Sequence, residues 1–163
     1  MNAAHLHLIL NHIPLLTLPT GLIFFLHACR FGNPQSKKFA LSFLIFSALT
    51  SIAVFLTGEP AEEVVEHLPG VTDSLIHSHE EAGELALIGS LVCGFFAGVQ
   101  LFVERVEAKG ESHAQNRLIR VLVILSALGA TTLLAYSANL GGRIRHTEIR
   151  DGAAQSAENN HDD

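Results

Sequence analysis

Charge is scarce in this sequence, and cysteine scarcer: 16% of its 163 residues are Asp, Glu, Lys or Arg, and two are Cys. Lys and Arg number 10 against 16 acidic residues, a net charge of −6, so nothing resembles a basic nucleic-acid surface and no nucleic-acid partner is expected. There is no Cys-x-x-Cys-His run, which excludes covalent haem attachment of that kind. Cys29 and Cys93 fall at different depths of their apolar runs, so they are not expected to pair and read as packing residues. The first apolar run has no basic leader and no small-residue cleavage site ahead of Arg30, and it contains His5, His7, Asn11 and His12. A cleaved secretory signal is therefore not expected. Phe39 to Leu56 lacks any ionisable residue and reads as scaffold.

What is abundant is apolar: 48% of residues are hydrophobic and the mean hydropathy is +0.35, too apolar for an ordinary soluble domain of this size. Four runs account for the excess, Leu6 to Ala28, Phe39 to Leu56, Leu85 to Val103 and Leu118 to Ala138. Each is near the ~20 residues that span a bilayer core, and helices satisfy every backbone group within such a run. The expected fold is all-α: an integral membrane four-helix bundle over residues 1–146, with helices at about 4–29, 38–57, 74–106 and 117–140. Pro14 and Pro19 should kink the first, with Thr17 and Thr20 near the freed carbonyls. Between the second and third, Thr57 to Gly70 reads as a short amphipathic helix with Pro60 in its first turn. Gly141-Gly142 is expected to stop the fourth helix and turn the chain back across the bundle mouth. Residues 147–163 form an acidic tail whose composition predicts disorder.

Seven basic residues lie on the two loops of one side (Arg30, Lys37, Lys38, Arg105, Lys109, Arg117, Arg120) and three on the other (Arg143, Arg145, Arg150). Lys and Arg are retained on the cytoplasmic side, which predicts a multi-pass, N-out/C-out protein with its short amphipathic helix in the periplasm. The bilayer is then its first partner. Ala82, Ala86, Ser90, Gly94 and Gly98 form a small-residue ridge on the third span, suited to close internal packing or to a homodimer.

The chemistry concentrates at the outer end. Seven of the ten histidines (His5, His7, His12, His67, His77, His79, His146) gather there. His77, Glu81 and Glu84 recur at i, i+4, i+7, a stripe descending into the third span, where ionisable groups are costly unless they pair or bind something. Counting ~1.5 Å per residue from the cytoplasmic boundary puts His12, Glu84 and Tyr136 in one layer, with His12 the leading single candidate. Imidazoles ligate haem iron and Zn, Cu or Fe ions. A b-type haem would take one of His5, His7 or His12 together with His77 or His79, with Tyr136, Asn11 and the glutamates around it. A metal ion would instead draw on His12, His79, Glu81, Glu84, His67 and His146. Glu63, Glu66 and His67 also share a face, as ligands or as a solvated acidic turn.

Several short motifs extend the reading: His5-x6-His12-x-Pro14 with Gly21, Thr57-Gly58, His79 with Ala82, and Gly141-Gly142-Arg143 followed by His146. In these the sequence resembles a family of predicted four-helix bacterial membrane proteins catalogued as a domain of unknown function, some of whose members are fused to Rieske or c-type cytochrome domains. The resemblance covers about residues 5 to 146. It implies a haem- or redox-associated module of the bacterial inner membrane, adds Arg143 to the candidate haem-binding residues, and suggests a periplasmic redox partner. The acid-rich segments Glu59 to Glu66 and His77 to Glu84 depart from the pattern and keep a metal ion in play. The expectation is an electron-transfer or binding protein rather than an enzyme. The alternatives are a non-redox metal-handling protein and an accessory subunit of a membrane complex.

Overall fold

The structure, a computed structural model, describes residues 2–107 and 113–150, with side chains for 2–106 and 117–150. The expected acidic tail from Asp151 and the centre of the last loop, with Lys109, lie outside the described residues, as does the side chain of His113. The described elements are helical: α1 (Ala3–Phe31), α2 (Pro34–Leu56), α3 (Gly58–Val65), α4 (Asp73–Glu107), α5 (His113–Arg145) and a 3-10 turn, Thr147–Ile149. Four of the helices are long and apolar enough to cross a membrane.

Local chemistry explains the sharp turn between the first two. Gly32 takes φ 70° and its N–H closes on the Ala28 carbonyl, ending α1 in the left-handed conformation glycine adopts without a Cβ penalty. Asn33 then caps α2, its Oδ1 accepting from the N–H groups of Gln35 (3.0 Å) and Ser36 (3.1 Å), while Pro34 fills the first helical position, where no N–H is needed. Asn2 caps α1 in the same way, through the N–H of His5.

The long helices pack in the cyclic order α1, α2, α4, α5, each against its two neighbours, so α1 and α4 lie diagonally across the bundle. The end carrying α3 and the end carrying the α1–α2 turn differ inside. Toward the turn, Leu18, Leu22, Phe25, Leu41, Leu44, Cys93, Ala97, Val123 and Ala127 form a dry core. Toward α3 many buried positions are small or hydroxylated, Ser51, Ala82, Ala86, Ser90 and Ser137, with Ile76, Leu140 and Ile144 as the larger apolar ones. Outward-facing Leu16, Ile23, Phe95, Phe102 and Leu125 are each at least 60% exposed, an apolar coat suited to lipid rather than water.

The small-residue ridge of α4 is taken up largely within the chain. Ala82, Ala86 and Ser90 are buried, and a Cβ on Gly94 would stand 2.5 Å from that of Ala48 on α2. Gly98 has open space.

Three local expectations come out differently. α1 is one continuous helix across Pro14 and Pro19, and what differs is the threonines, for Thr17 and Thr20 donate to the carbonyls of Ile13 and Leu16, both at 2.7 Å. These are the i−4 carbonyls that threonines can reach, not those of Leu10 and Leu15 that the prolines release. Second, α5 does not stop at Gly141-Gly142 but continues to Arg145. Its glycines serve a lateral contact, described below. Third, the chain does turn back across the mouth, but later: Arg150 donates to the carbonyls of Arg143 (2.8 Å), Ile144 (3.0 Å) and Gly70 (2.7 Å), so one guanidinium joins the end of α5 to the segment before α4.

Candidate functional site

The buried positions of α1, Pro14, Leu18, Gly21, Leu22, Phe25 and Ala28, trace one seam of the helix. Extended two turns toward the N-terminus, that seam reaches His7. On α4 the inward seam reads Ile76, Ala82, Ala86, Ser90, Cys93, Ala97, and His79 falls within it, three residues before Ala82. Both imidazoles therefore project into the bundle from diagonal helices, and they meet there. Their ring centroids are 6.3 Å apart with planes at 86°.

Each ring is held by its Nδ1. His7 Nδ1 lies 3.1 Å from the Val54 carbonyl and 3.1 Å from Thr57 Oγ1, at the point where α2 gives way to α3. His79 Nδ1 lies 3.0 Å from the Ser137 carbonyl of α5. A carbonyl only accepts, so in both rings Nδ1 carries the proton and Nε2 presents its lone pair. A histidine orientated through Nδ1–H on a backbone carbonyl, with Nε2 left for a metal, is the usual arrangement of a metal-ligating imidazole.

A glycine makes room for one of these rings. A Cβ on Gly141 would stand 2.9 Å from His79 Cε1 and 3.3 Å from each ring nitrogen, so the imidazole lies against bare α5 backbone. On the other side, a Cβ on Gly58 would be 3.9 Å from His7 Cε1, an ordinary contact that a side chain there could make. Gly141 is thus retained inside a helix, where glycine costs about 1 kcal/mol relative to alanine, because a side chain there would displace His79.

The other candidates sit elsewhere. His12 is exposed on the outer face of α1 and turns its Nδ1 back to the Leu8 carbonyl at 2.6 Å. His5 is exposed. Glu84 and Tyr136 are exposed as well, and among the described residues no hydrogen bond or ion pair joins either of them to His12. The shared depth of these three residues does not bring them to one face. His77 pairs with Glu81 at 3.3 Å and lies 3.9 Å from Glu80, all on the open side of α4. His67 pairs with Glu66 at 3.3 Å on the short segment after α3. His146 meets Glu148 at 2.8 Å beside the 3-10 turn. That carboxyl is held below the ordinary glutamate range, first by its own backbone N–H and then by His146. Arg143 is half-buried, and its carbonyl receives Arg150.

Of the residues weighed from sequence, the structure pairs His77 with Glu81 on the exposed side of the bundle and brings His7 and His79 together inside it. The signal that distinguishes them is register with the small and proline positions of their own helices rather than proximity to other polar residues. No family model, curated protein or solved structure matches the chain.

Proposed function

We propose that the chain is a multi-pass protein of a bacterial inner membrane, with both ends periplasmic, that holds a b-type haem for electron transfer through His7 and His79. Four long helices and their apolar outer coat support the membrane placement. Its orientation is supported by the seven basic residues at the end carrying the α1–α2 turn against three at the other.

The observation that carries the cofactor is the imidazole pair. Two imidazoles sharing one metal ion from opposite sides stand about 6 Å apart between centroids, given metal–nitrogen bonds of ~2.0–2.1 Å. His7 and His79 stand at 6.3 Å. Two histidines suffice for a haem, whose macrocycle supplies the remaining ligands, whereas zinc sites take three or four protein donors. Among the described residues no group of three His, Cys, Asp or Glu converges, which favours haem over a bare ion.

When bound, the haem supplies a one-electron couple tuned by its axial ligands and surroundings. The chain's own contribution is to fix both rings through Val54, Thr57 and Ser137 and to raise the basicity of each Nε2 through those acceptors.

The visible spectrum of the purified protein tests this. A Soret band that shifts on dithionite addition is expected, lost in His7→Ala and His79→Ala and kept in His5→Ala, His12→Ala and His77→Ala. A colourless protein carrying stoichiometric Zn, Cu or Fe would replace the haem by an ion. A colourless, metal-free one would leave the accessory-subunit reading. A C-terminal phosphatase fusion should be active in the periplasm, and inactivity there would reverse the orientation.

A further inference from the structure

At the opposite end from the histidine pair, the α1–α2 hairpin forms an open groove of about 400 Å³ lined by Phe24 and His27 of α1 and Gln35, Ser36 and Phe39 of α2. The groove is graded. Its polar part, His27, Gln35 and Ser36, lies beside the Gly32-Asn33 turn. Away from that turn an aromatic track leads along the helices: Phe24 contacts Phe39 (6.0 Å) and Phe43 (6.4 Å), Phe39 stacks on Phe43 (5.7 Å), and Phe43 on Phe46 (6.5 Å). Phe24 and Phe39 are exposed to the surroundings rather than covered by the protein.

The charged residues of the hairpin itself have one sign. Arg30 is one turn beyond His27 and Lys38 one turn beyond Gln35, so both start from positions next to the groove's lining, and both are exposed. Arg30 sits over the Phe31 ring at 5.6 Å, which holds it at the rim. Lys37 adds a third cation to the same hairpin. The first acidic residue of the sequence is Glu59, so the whole hairpin contributes no carboxylate to oppose an anion.

We infer that this groove is a binding site for an anionic glycerophospholipid of the leaflet facing the α1–α2 turn. The phosphate meets Arg30 and Lys38 with His27, Gln35 and Ser36 as hydrogen-bonding neighbours, and an acyl chain follows the phenylalanine track. Basic pockets between membrane helices on the cytoplasmic side recognise anionic headgroups in this way, and each Lys or Arg near such a surface contributes about 1 kcal/mol, roughly a fivefold preference. The inference rests on the membrane placement proposed above but not on the haem.

The test is native mass spectrometry of the full-length protein in detergent containing equimolar phosphatidylglycerol and phosphatidylcholine. Phosphatidylglycerol adducts should predominate. Arg30→Ala and Lys38→Ala should each reduce that preference about fivefold. Phe39→Ala should weaken retention of both lipids, and Arg105→Ala, on α4 outside the groove, should leave the preference unchanged. Size-exclusion profiles matching the unaltered protein establish that the variants are folded. Equal retention of the two lipids, a preference that survives Arg30→Ala/Lys38→Ala, or an equal loss in Arg105→Ala would overturn the site. Recovery of the protein in a soluble fraction would instead overturn the membrane placement itself.

Discussion

The two halves of the bundle interior solve different problems with the same helices. Toward the α1–α2 turn, branched and aromatic side chains interlock: Leu18, Phe25, Leu41 and Leu44 are fully buried. Toward α3 the interior combines Ile76, Leu140 and Ile144 with small residues, Ala82, Ala86, Ser90 and Ser137, and with Gly141, which admits the His79 ring. In a membrane protein the surrounding lipid is as apolar as leucine, so burial of hydrocarbon does little to hold helices together and close packing does more. The half with interlocking side chains is therefore where stability should be concentrated. The half with small side chains gives up dispersion contacts and gains space for polar groups near the bundle axis.

The sharpest break in this comparison is a truncation on each side. Phe25→Ala should destabilise the protein by about 3–5 kcal/mol in detergent unfolding, since the void left by a fully buried ring is only partly closed by relaxation. Ser90→Ala, equally buried but bonded only to the Ala86 carbonyl of its own helix, should cost about 0.6 kcal/mol or less. Comparable losses in the two variants would remove the distinction between the halves.

A smaller effect separates two glycines. Gly141→Ala would drive a methyl group against the His79 ring and strain its bond to the Ser137 carbonyl, a loss of about 1–2 kcal/mol together with any signal from the histidine pair. Gly98→Ala meets nothing within 4 Å and should stabilise α4 by about 0.5–1 kcal/mol through helix propensity. Thermal unfolding of the two variants reads both the size and the opposite signs. A change of oligomeric state in Gly98→Leu alone would place a second copy of the chain on that open face.

The smallest effect lies at the outer rim, where Glu148 titrates below the ordinary glutamate value because its own backbone N–H and then His146 favour the carboxylate. A depressed folded-state pKa means that this contact contributes above the unfolded value of about 4.3 and is lost as pH falls through the folded one. In an NMR titration His146→Ala should raise the Glu148 pKa only part of the way, the backbone N–H remaining. A full return to the ordinary value would assign the whole effect to the imidazole.

Much of this was legible in the residues. The four apolar runs mark the four long helices, the unbroken passage from Asp73 into the third run is one helix, α4, and the acidic Pro60 segment is helical as α3. The site was legible only as a neighbourhood. His7 and His79 were both among the histidines gathered at that end, yet His12 stood out by depth, and depth along a helix says nothing of direction around it. Gly141 was read as a stop signal because glycine after a helix usually is one. Its lateral contact with His79, which comes from a helix more than fifty residues away in the chain, leaves no trace in the local sequence.

What the sequence determined alone is whatever depends on neighbours in the chain: span lengths, the Gly32-Asn33-Pro34 turn, the caps and the one-signed charge of the first hairpin. Which face of each helix points inward was decided only by the tertiary structure. In water the apolar face of a helix announces the core, but a helix coated by lipid is apolar on every side, so periodicity loses its contrast. The inward seams of α1 and α4 emerge only when the helices are packed, because small size and close approach, rather than hydrophobicity, select the residues that line them.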